Sequence, residues 1–270
     1  MDSVLPVSPP WVLFPLVWFI VMAAFAAGSR AIARKRTSQE RQTQVARYSN
    51  KLTSATATGL FVLIGFGITM SWNTFTAGQS AVDAQFVAAD ELIVASLDLE
   101  NVQDKNRLLA SVANYLDTTT EEDFTFFAQG NVFPAPSVDS FRELQQAASA
   151  AIEDPGTGQK IQISLIEDSV TNLAENRGEL LSVSNRVLPP VMMALIMIST
   201  LFVAVFMGAS LSDEERPWLL FGWVCVLTLA LAVMIWISHP FTAPLGIDIS
   251  SLSELADVAR GFIEEPATGS

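Results

Sequence analysis

Two apolar stretches near the end of the chain decide the fold: Val187–Ser210, VLPPVMMALIMISTLFVAVFMGAS, and Pro217–Ser238, PWLLFGWVCVLTLALAVMIWIS. They hold 24 and 22 residues, carry no charged side chain, and are separated by the polar residues 211–216, Leu-Ser-Asp-Glu-Glu-Arg. A bilayer hydrocarbon core about 30 Å thick is crossed by roughly 20 helical residues. The two stretches therefore predict a transmembrane helical hairpin over residues 187–240.

The composition is typical of an integral membrane protein that also has a water-exposed part. Half of the 270 residues are hydrophobic and the mean hydropathy is +0.39, yet the net charge is −13, so apolar and charged residues lie in separate blocks. The acidic charge argues against nucleic acid as a partner, because phosphate binding needs clustered Lys and Arg. With one cysteine, Cys225, and one histidine, His239, we predict no intrachain disulfide, metal site or cofactor.

Two further spans are predicted before residue 73, at about residues 11–28 and 55–72. No basic residue precedes the first, so we predict that it is a retained helix and not a cleaved signal peptide. The second contains Gly59, Gly65 and Gly67, which allow close backbone approach in a membrane. We expect the second span to be buried among the other helices, and lining a pore is the alternative.

The segment 29–51 sets the predicted orientation. It carries seven basic residues and one acid, and positive residues concentrate in cytoplasmic loops, so we predict a cytoplasmic loop here and extracytoplasmic termini. Contact with anionic lipids is the alternative role of its first four basic residues: Arg30, Arg34, Lys35 and Arg36.

Residues 73–186 form the acidic, water-exposed part, with 18 acidic and six basic residues. Apolar residues recur at helical spacing in four groups and no strand-like alternation stands out, so we predict an extracytoplasmic four-helix bundle inserted between spans two and three. Thr120-Glu121-Glu122-Asp123 predicts a helix start. No strong breaker separates this bundle from the neighbouring spans, which predicts two continuous helices and rigid coupling of bundle to membrane.

After the fourth span, residues 241–270 are predicted to return to the extracytoplasmic side. Ser251 and Glu254 match a capping box at the start of an amphipathic helix over 251–263. This helix is expected against the bundle or on the membrane surface. The tail 264–270 is predicted to be disordered.

Two candidate sites lie in the C-terminal hairpin. Thr200, Ala204 and Gly208 recur four residues apart and form a small-residue face suited to helix packing. His239, next to Pro240 at the end of a span, is either an interfacial polar anchor or a pH-sensitive boundary residue. Neighbouring acid pairs do not face each other on a helix, and no nucleophile elbow, phosphate loop or zinc spacing occurs. We therefore predict that the protein is not an enzyme.

Several short motifs give the chain a family likeness: Ala88-Ala89-Asp90-Glu91, Tyr115, Asn176-Arg177, Arg186-Val187-Leu188-Pro189-Pro190, Pro240-Phe241 and Ile247-Asp248-Ile249-Ser250. Over residues 45–262 it resembles the bacterial bestrophin-like domain proteins. His239 and Ala243-Pro244 depart from the family pattern at the exit of the last span. The resemblance implies four spans in a bacterial plasma membrane and oligomeric ion conduction, since bestrophins are pentameric anion channels.

Three functions stay open. An oligomeric ion channel is implied by the resemblance. An accessory or scaffolding subunit of a larger membrane complex, docking through its bundle, is favoured by the small-residue faces and the adaptable methionines near Met193. A ligand sensor would signal through the two continuous helices. The predicted partners are the lipid bilayer and either further copies of this chain or other membrane-protein subunits.

Overall fold

The structure, a computed structural model, describes residues 9–36, 39–129, 134–153, 160–184, 188–211, 218–241 and 246–263. Throughout these ranges the regular elements are helical, which confirms the predicted all-α class. The elements are α1 (Pro9–Arg36), α2 (Gln39–Leu97), α3 (Val102–Thr118), a π-helical segment (Thr119–Asp123), α4 (Phe124–Ala128), α5 (Val138–Glu153), α6 (Lys160–Ser184), α7 (Pro190–Ser210), α8 (Trp218–Ile237) and α9 (Ser250–Gly261).

Among the described residues, four helices are long and apolar enough to cross a membrane. They occupy Leu13–Lys35, Ala46–Leu97, Pro190–Ser210 and Trp218–Ile237. The predicted number of spans is thus confirmed. The polar turn predicted at 211–216, apart from Leu211, and the tail predicted over 264–270 lie outside the described residues.

The prediction of a loop over residues 29–51 is wrong, because most of this segment is helical. The helix α1 runs to Arg36 and α2 begins at Gln39. No Gly or Pro occurs between Ser29 and Thr58, and the alanine, arginine, lysine and glutamine residues of this segment favour helix. The basic residues therefore lie at the end of α1 and in the first turns of α2.

One of the two predicted continuous helices is confirmed and the other is wrong. The helix α2 is unbroken over 59 residues. In contrast, α6 ends at Ser184 and α7 begins only at Pro190. Pro189 has an extended backbone with φ −51° and ψ 128°, since a proline pushes the preceding residue out of the helical region and lacks an N–H donor.

The helix start predicted at residues 120–123 is also wrong. The chain continues from α3 through the π-helical segment into α4 without leaving the helical region. The Thr120 hydroxyl donates to the Leu116 carbonyl at 2.9 Å, so it bonds back into the preceding turn and does not cap a new helix.

The capping box predicted at Ser251 and Glu254 does not form. The helix α9 begins one residue earlier, after Ile249, without a side-chain cap. Asp248 accepts the Ser250 backbone N–H at 2.9 Å instead. An aspartate two residues before a free N–H makes this local turn readily, which shifts the helix start.

The described residues divide into two compact units. The bundle unit lies within Phe75–Arg186 and Pro240–Ser270, and the membrane unit within Val7–Thr74 and Val187–His239. In the bundle unit, α3 packs on α5 and on α9. All four predicted apolar groups contribute buried side chains, among them Ile93, Leu108, Leu144 and Leu173, and α9 adds Leu252. In the membrane unit, α1 packs along α7 and α8.

Candidate functional site

The part of α2 that belongs to the membrane unit has two different faces. Leu60, Ile64 and Ser71 are buried on one side, and a Cβ at Gly67 would meet Met234 of α8. The other side, which we call the α2 exposed face, is open and repeats at helical spacing; it consists of Ala55, Thr58, Val62, Gly65 and Thr69. In the single chain this span is therefore covered on one side and is not buried among the other helices as expected.

The hydroxyl groups of the α2 exposed face are bonded within the helix. Thr58 donates to the Ser54 carbonyl at 2.9 Å, and Thr69 donates to the Gly65 carbonyl at 3.0 Å. Neither hydroxyl hydrogen is left unpaired when the face is dry, and each oxygen still has lone pairs for water or a cation. The face can thus line a narrow, uncharged, partly hydrated path.

The part of α2 in the bundle unit is acidic. Three exposed carboxylates lie on it and a fourth, Asp98, directly follows its last residue, and no basic residue occurs on α2 after Lys51. Carboxylates of one sign raise the local concentration of cations and lower that of anions. We call this set the α2 acids: Asp83, Asp90, Glu91 and Asp98.

Inside the bundle unit, three polar side chains from separate elements form a polar core: Asp123, Ser137 and Arg177. The π-helical segment turns Asp123 inward, where it is 2% exposed. Its carboxylate accepts the Ser137 backbone N–H at 2.8 Å and the Ser137 hydroxyl. Arg177 of α6 donates from Nε to the Ser137 hydroxyl oxygen at 3.3 Å. Ser137 therefore links the buried acid to the arginine.

Aromatic side chains enclose this polar core. The Arg177 guanidinium lies 5.5 Å from the centre of the Phe141 ring, a cation–π arrangement. Burial raises the pKa of Asp123, while hydrogen bonds from Ser137 and the charge of Arg177 act in the opposite direction. Burial also raises the pKa of the Tyr115 phenol far above its usual range. The core joins the π-helical segment, the residue that precedes α5, and α6 through charge and hydrogen bonds.

The small-residue face predicted from sequence lies against α1 in the membrane unit. Thr200 and Ala204 are buried, and the indole N–H of Trp18 donates to the Thr200 hydroxyl at 3.3 Å. A Cβ at Gly208 would clash with the carbonyl oxygen of Ala26. The three residues therefore serve packing within the chain.

His239 is half-buried just beyond α8. Its Nδ1 lies 2.9 Å from the Ile235 carbonyl oxygen, and because a carbonyl only accepts, Nδ1 carries the proton in this bond. Burial lowers the pKa of the imidazole. The lowered pKa favours the neutral imidazole, and the bond from Nδ1 to the Ile235 carbonyl holds the ring against the last turn of α8.

The four basic residues predicted to contact lipid are all on the last two turns of α1. Arg34 and Lys35 are exposed, Arg30 is half-buried, and Arg36 is the last residue of the helix. In the described residues no group of three or more potential metal ligands occurs.

The sequence analysis did not predict the polar core. Asp123 was assigned to a helix start, and Ser137 carries no local signal. The Asn176-Arg177 pair contributed only to the family resemblance, although the Asn176 amide also donates to the Ala84 carbonyl at 3.0 Å. Ser137 and Arg177 lie 14 and 54 positions after Asp123, so no short sequence pattern connects the three residues. They meet only in the folded chain.

The four spans, the uncharged exposed face and the separate acidic bundle define a multi-pass helical membrane protein. The chain belongs to the Bestrophin-like domain family, which matches residues 20–251. This confirms the resemblance drawn from the sequence motifs.

Solved structures share the fold. Two mutant forms of a bacterial Bestrophin homolog from Klebsiella pneumoniae both have a TM-score of 0.67, at 10% and 11% sequence identity; the chain matches over 92% and 94% of its length and over 96% and 99% of theirs. A further crystal structure of a membrane protein has a TM-score of 0.63 at 10% identity and covers 92% of this chain and 95% of its own. No curated protein matches this chain.

Proposed function

We propose that the protein is an oligomeric ion channel whose pore is lined by the α2 exposed face. The contrast between the membrane helices carries this proposal. Over the first part of α1 the exposed side consists of bulky apolar residues, Leu13, Leu16 and Ile20, as expected against lipid. Small and hydroxyl-bearing residues line the α2 exposed face instead, where lipid gains little contact and water can pass.

Several copies of the chain around an axis would complete such a pore. Phe61, Phe66 and Met70 flank the α2 exposed face and are 44–63% exposed, so they offer apolar contacts to neighbouring copies, and closed rotational symmetry is the usual arrangement of identical subunits. Membership of the Bestrophin-like family supports conduction, because its relatives are in general ion channels.

The α2 acids favour cations over anions. The lining itself has no charge and discriminates weakly between ions, so the carboxylates further along the same helix are the groups that can concentrate cations. A net charge of −13 for the chain acts in the same direction. We propose a preference for monovalent cations.

The orientation follows from the basic segment 29–51. We propose that this segment faces the cytoplasm of a bacterial cell and that the bundle and both termini are extracytoplasmic. Two single-cysteine proteins test this in a Cys225→Ser background: Glu143→Cys in the bundle and Arg47→Cys in the basic segment. A membrane-impermeant maleimide should label position 143 in intact cells and position 47 only after permeabilisation. The reverse pattern would contradict the orientation.

A pair of matched glycine variants tests conduction. Gly65 on the α2 exposed face and Gly222 on α8 both face open space, with nothing within 4 Å of an added Cβ. Purified full-length protein in liposomes should pass K⁺; Gly65→Leu should reduce the flux at least tenfold, and Gly222→Leu should leave it unchanged. Wild-type protein that passes neither cations nor anions across a range of pH would rule out the channel.

In the part of the chain that the structure describes, no specific contact supports either of the other two functions. The small-residue face that an accessory subunit would use for docking packs on α1 within the chain. A sensor was expected to signal through two continuous helices, and because the chain leaves the helical conformation before Pro190, only α2 is continuous. Stoichiometric co-purification with other membrane proteins after mild solubilisation would favour the accessory role, and a homogeneous homo-oligomer would count against it.

A further inference from the structure

An apolar groove lies between α1 and α7 in the membrane unit. Its volume is about 370 Å³, and it is lined by Ala24, Phe25, Gly28, Ser29, Ile32 and Val205. Ser29, the polar one of the six, donates its hydroxyl to the Ala26 carbonyl at 2.9 Å. The polar side chain in the lining already has a hydrogen-bond acceptor within the chain, so the groove suits a hydrocarbon chain, which has no hydrogen-bonding groups.

A basic residue, Lys35, lies on α1 beyond the end of the groove. Ala24, Gly28 and Lys35 lie close to one line along α1, since positions three or four residues apart share a helix face. Lys35 is exposed. It is seven residues beyond Gly28, about 10 Å further along the axis at 1.5 Å per residue. The apolar run of α1 ends at Gly28, which puts the lysine at headgroup level.

We propose that the α1–α7 groove and Lys35 form a binding site for one anionic phospholipid. An acyl chain would lie in the groove, and the phosphate would contact the Lys35 ammonium. Two features favour a lipid of this charge: the apolar groove lies on a helix that is long and apolar enough to cross a membrane, and the surrounding segment 29–51 carries seven basic residues against one acid. The site does not depend on conduction, because it uses α1 and α7 and none of the α2 exposed face.

Helical position separates Lys35 from the other basic residues of α1. Arg34 is the neighbouring residue, about 100° around the helix, and so points away from the line of Ala24 and Gly28. The sequence predicted lipid contact for four basic residues without distinguishing among them. The position of the groove singles out Lys35 for the phosphate contact.

Native mass spectrometry of the full-length protein in mild detergent tests the site. The protein is titrated with phosphatidylglycerol and with phosphatidylcholine of identical acyl chains. We expect tighter binding of phosphatidylglycerol. Lys35→Gln should weaken that binding about fivefold, the effect of one cation near anionic lipid, with phosphatidylcholine unaffected. Lys51→Gln, an exposed lysine of the same basic segment on α2, is the matched control and should change nothing.

Filling the groove is the second arm. Nothing lies within 4 Å of an added Cβ at Gly28 or at Gly222, so both accept leucine without a clash in the chain. Gly28→Leu should weaken binding of both lipids, and Gly222→Leu of neither. Equal binding of the two lipids to the wild type, equal effects of Lys35→Gln and Lys51→Gln, or no effect of Gly28→Leu would overturn the proposal. If Gly28→Leu does not fold, the lysine pair decides the outcome.

Discussion

The carbonyl oxygen of Ala26 on α1 occupies the space that a Cβ at Gly208 of α7 would need. The two helices approach so closely there because Gly208 has no side chain. Within lipid there is no hydrophobic driving force between helices, and small residues stabilise a helix crossing by allowing close van der Waals packing. Backbone atoms cannot turn aside as a flexible side chain can. Position 208 is therefore restricted to glycine for steric reasons.

Gly208→Ala should destabilise the membrane unit. Overpacking by one methyl group typically costs about 1–3 kcal/mol, so we expect a lower melting temperature in detergent. Gly222→Ala is the matched control, since an added Cβ there meets nothing within 4 Å, and it should melt with the wild type. Equal melting temperatures for all three proteins would contradict the close contact.

Ser137 should be more important for stability than other serines of the bundle. Its hydroxyl donates to Asp123 and accepts from Arg177, so Ser137→Ala leaves both charged partners short of a bond inside the protein. We expect a loss of about 1–3 kcal/mol in the free energy of unfolding. Ser149→Ala, which removes an exposed hydroxyl on α5, the helix that begins directly after Ser137, should change it by less than about 0.5 kcal/mol. Chemical denaturation of both variants measures the difference.

The raised pKa of Asp123 predicts a pH effect of known sign. A group with a higher pKa in the folded state stabilises the fold below its unfolded pKa, about 3.9 for aspartate, and this contribution is lost as pH rises through the folded value. Burial is the main cause of the shift. The melting temperature of the wild type minus that of Asp123→Asn should therefore decrease from pH 4 upwards. A difference that grows with pH would show a lowered pKa instead.

His239 predicts an effect of the opposite sign. Burial lowers its pKa, so its stabilising contribution is present above about pH 6.5, the ordinary histidine value, and is lost as pH falls through the lowered pKa. His239→Asn can still donate a hydrogen bond to the Ile235 carbonyl but does not titrate. Thermal unfolding between pH 7.5 and 5 should show a loss in the wild type that the variant lacks. If the melting temperatures of the wild type and the variant change with pH in the same way, His239 does not contribute to the pH dependence of stability.

The length of the apolar runs predicted the spans, and helical periodicity predicted the bundle helices, because each bundle helix buries an apolar face. Val112, Leu144 and Ile166 are buried as their spacing predicts. Helix ends were harder to predict. The segment 29–51 has no breaker, yet its charges suggested a loop, and the preference of alanine and arginine for helix prevailed. At Pro189-Pro190 the second proline begins α7 and the first leaves the helix.

The candidate sites were predictable only where they follow one helix. Thr200, Ala204 and Gly208 share a face by spacing alone, and so do Gly65 and Thr69. The polar core could not be found that way, because Asp123 and Arg177 come from different helices and meet through Ser137. Local sequence reveals which residues share a face, and tertiary packing decides which face is covered.

The α2 acids should determine ion selectivity if the protein conducts. Asp90 and Glu91 are exposed, adjacent carboxylates on a stretch without basic residues, so Asp90→Asn with Glu91→Gln removes negative charge without changing shape. We expect the ratio of K⁺ to Cl⁻ permeability, measured as a reversal potential across a salt gradient, to fall. The effect should be larger at low ionic strength, because the Debye length shortens from about 30 Å at 0.01 M to about 10 Å at 0.1 M salt. Glu143→Gln, an exposed bundle acid on α5, is the control for general surface charge. A reversal potential that does not respond to the α2 change at either salt concentration would assign selectivity to the uncharged lining of α2.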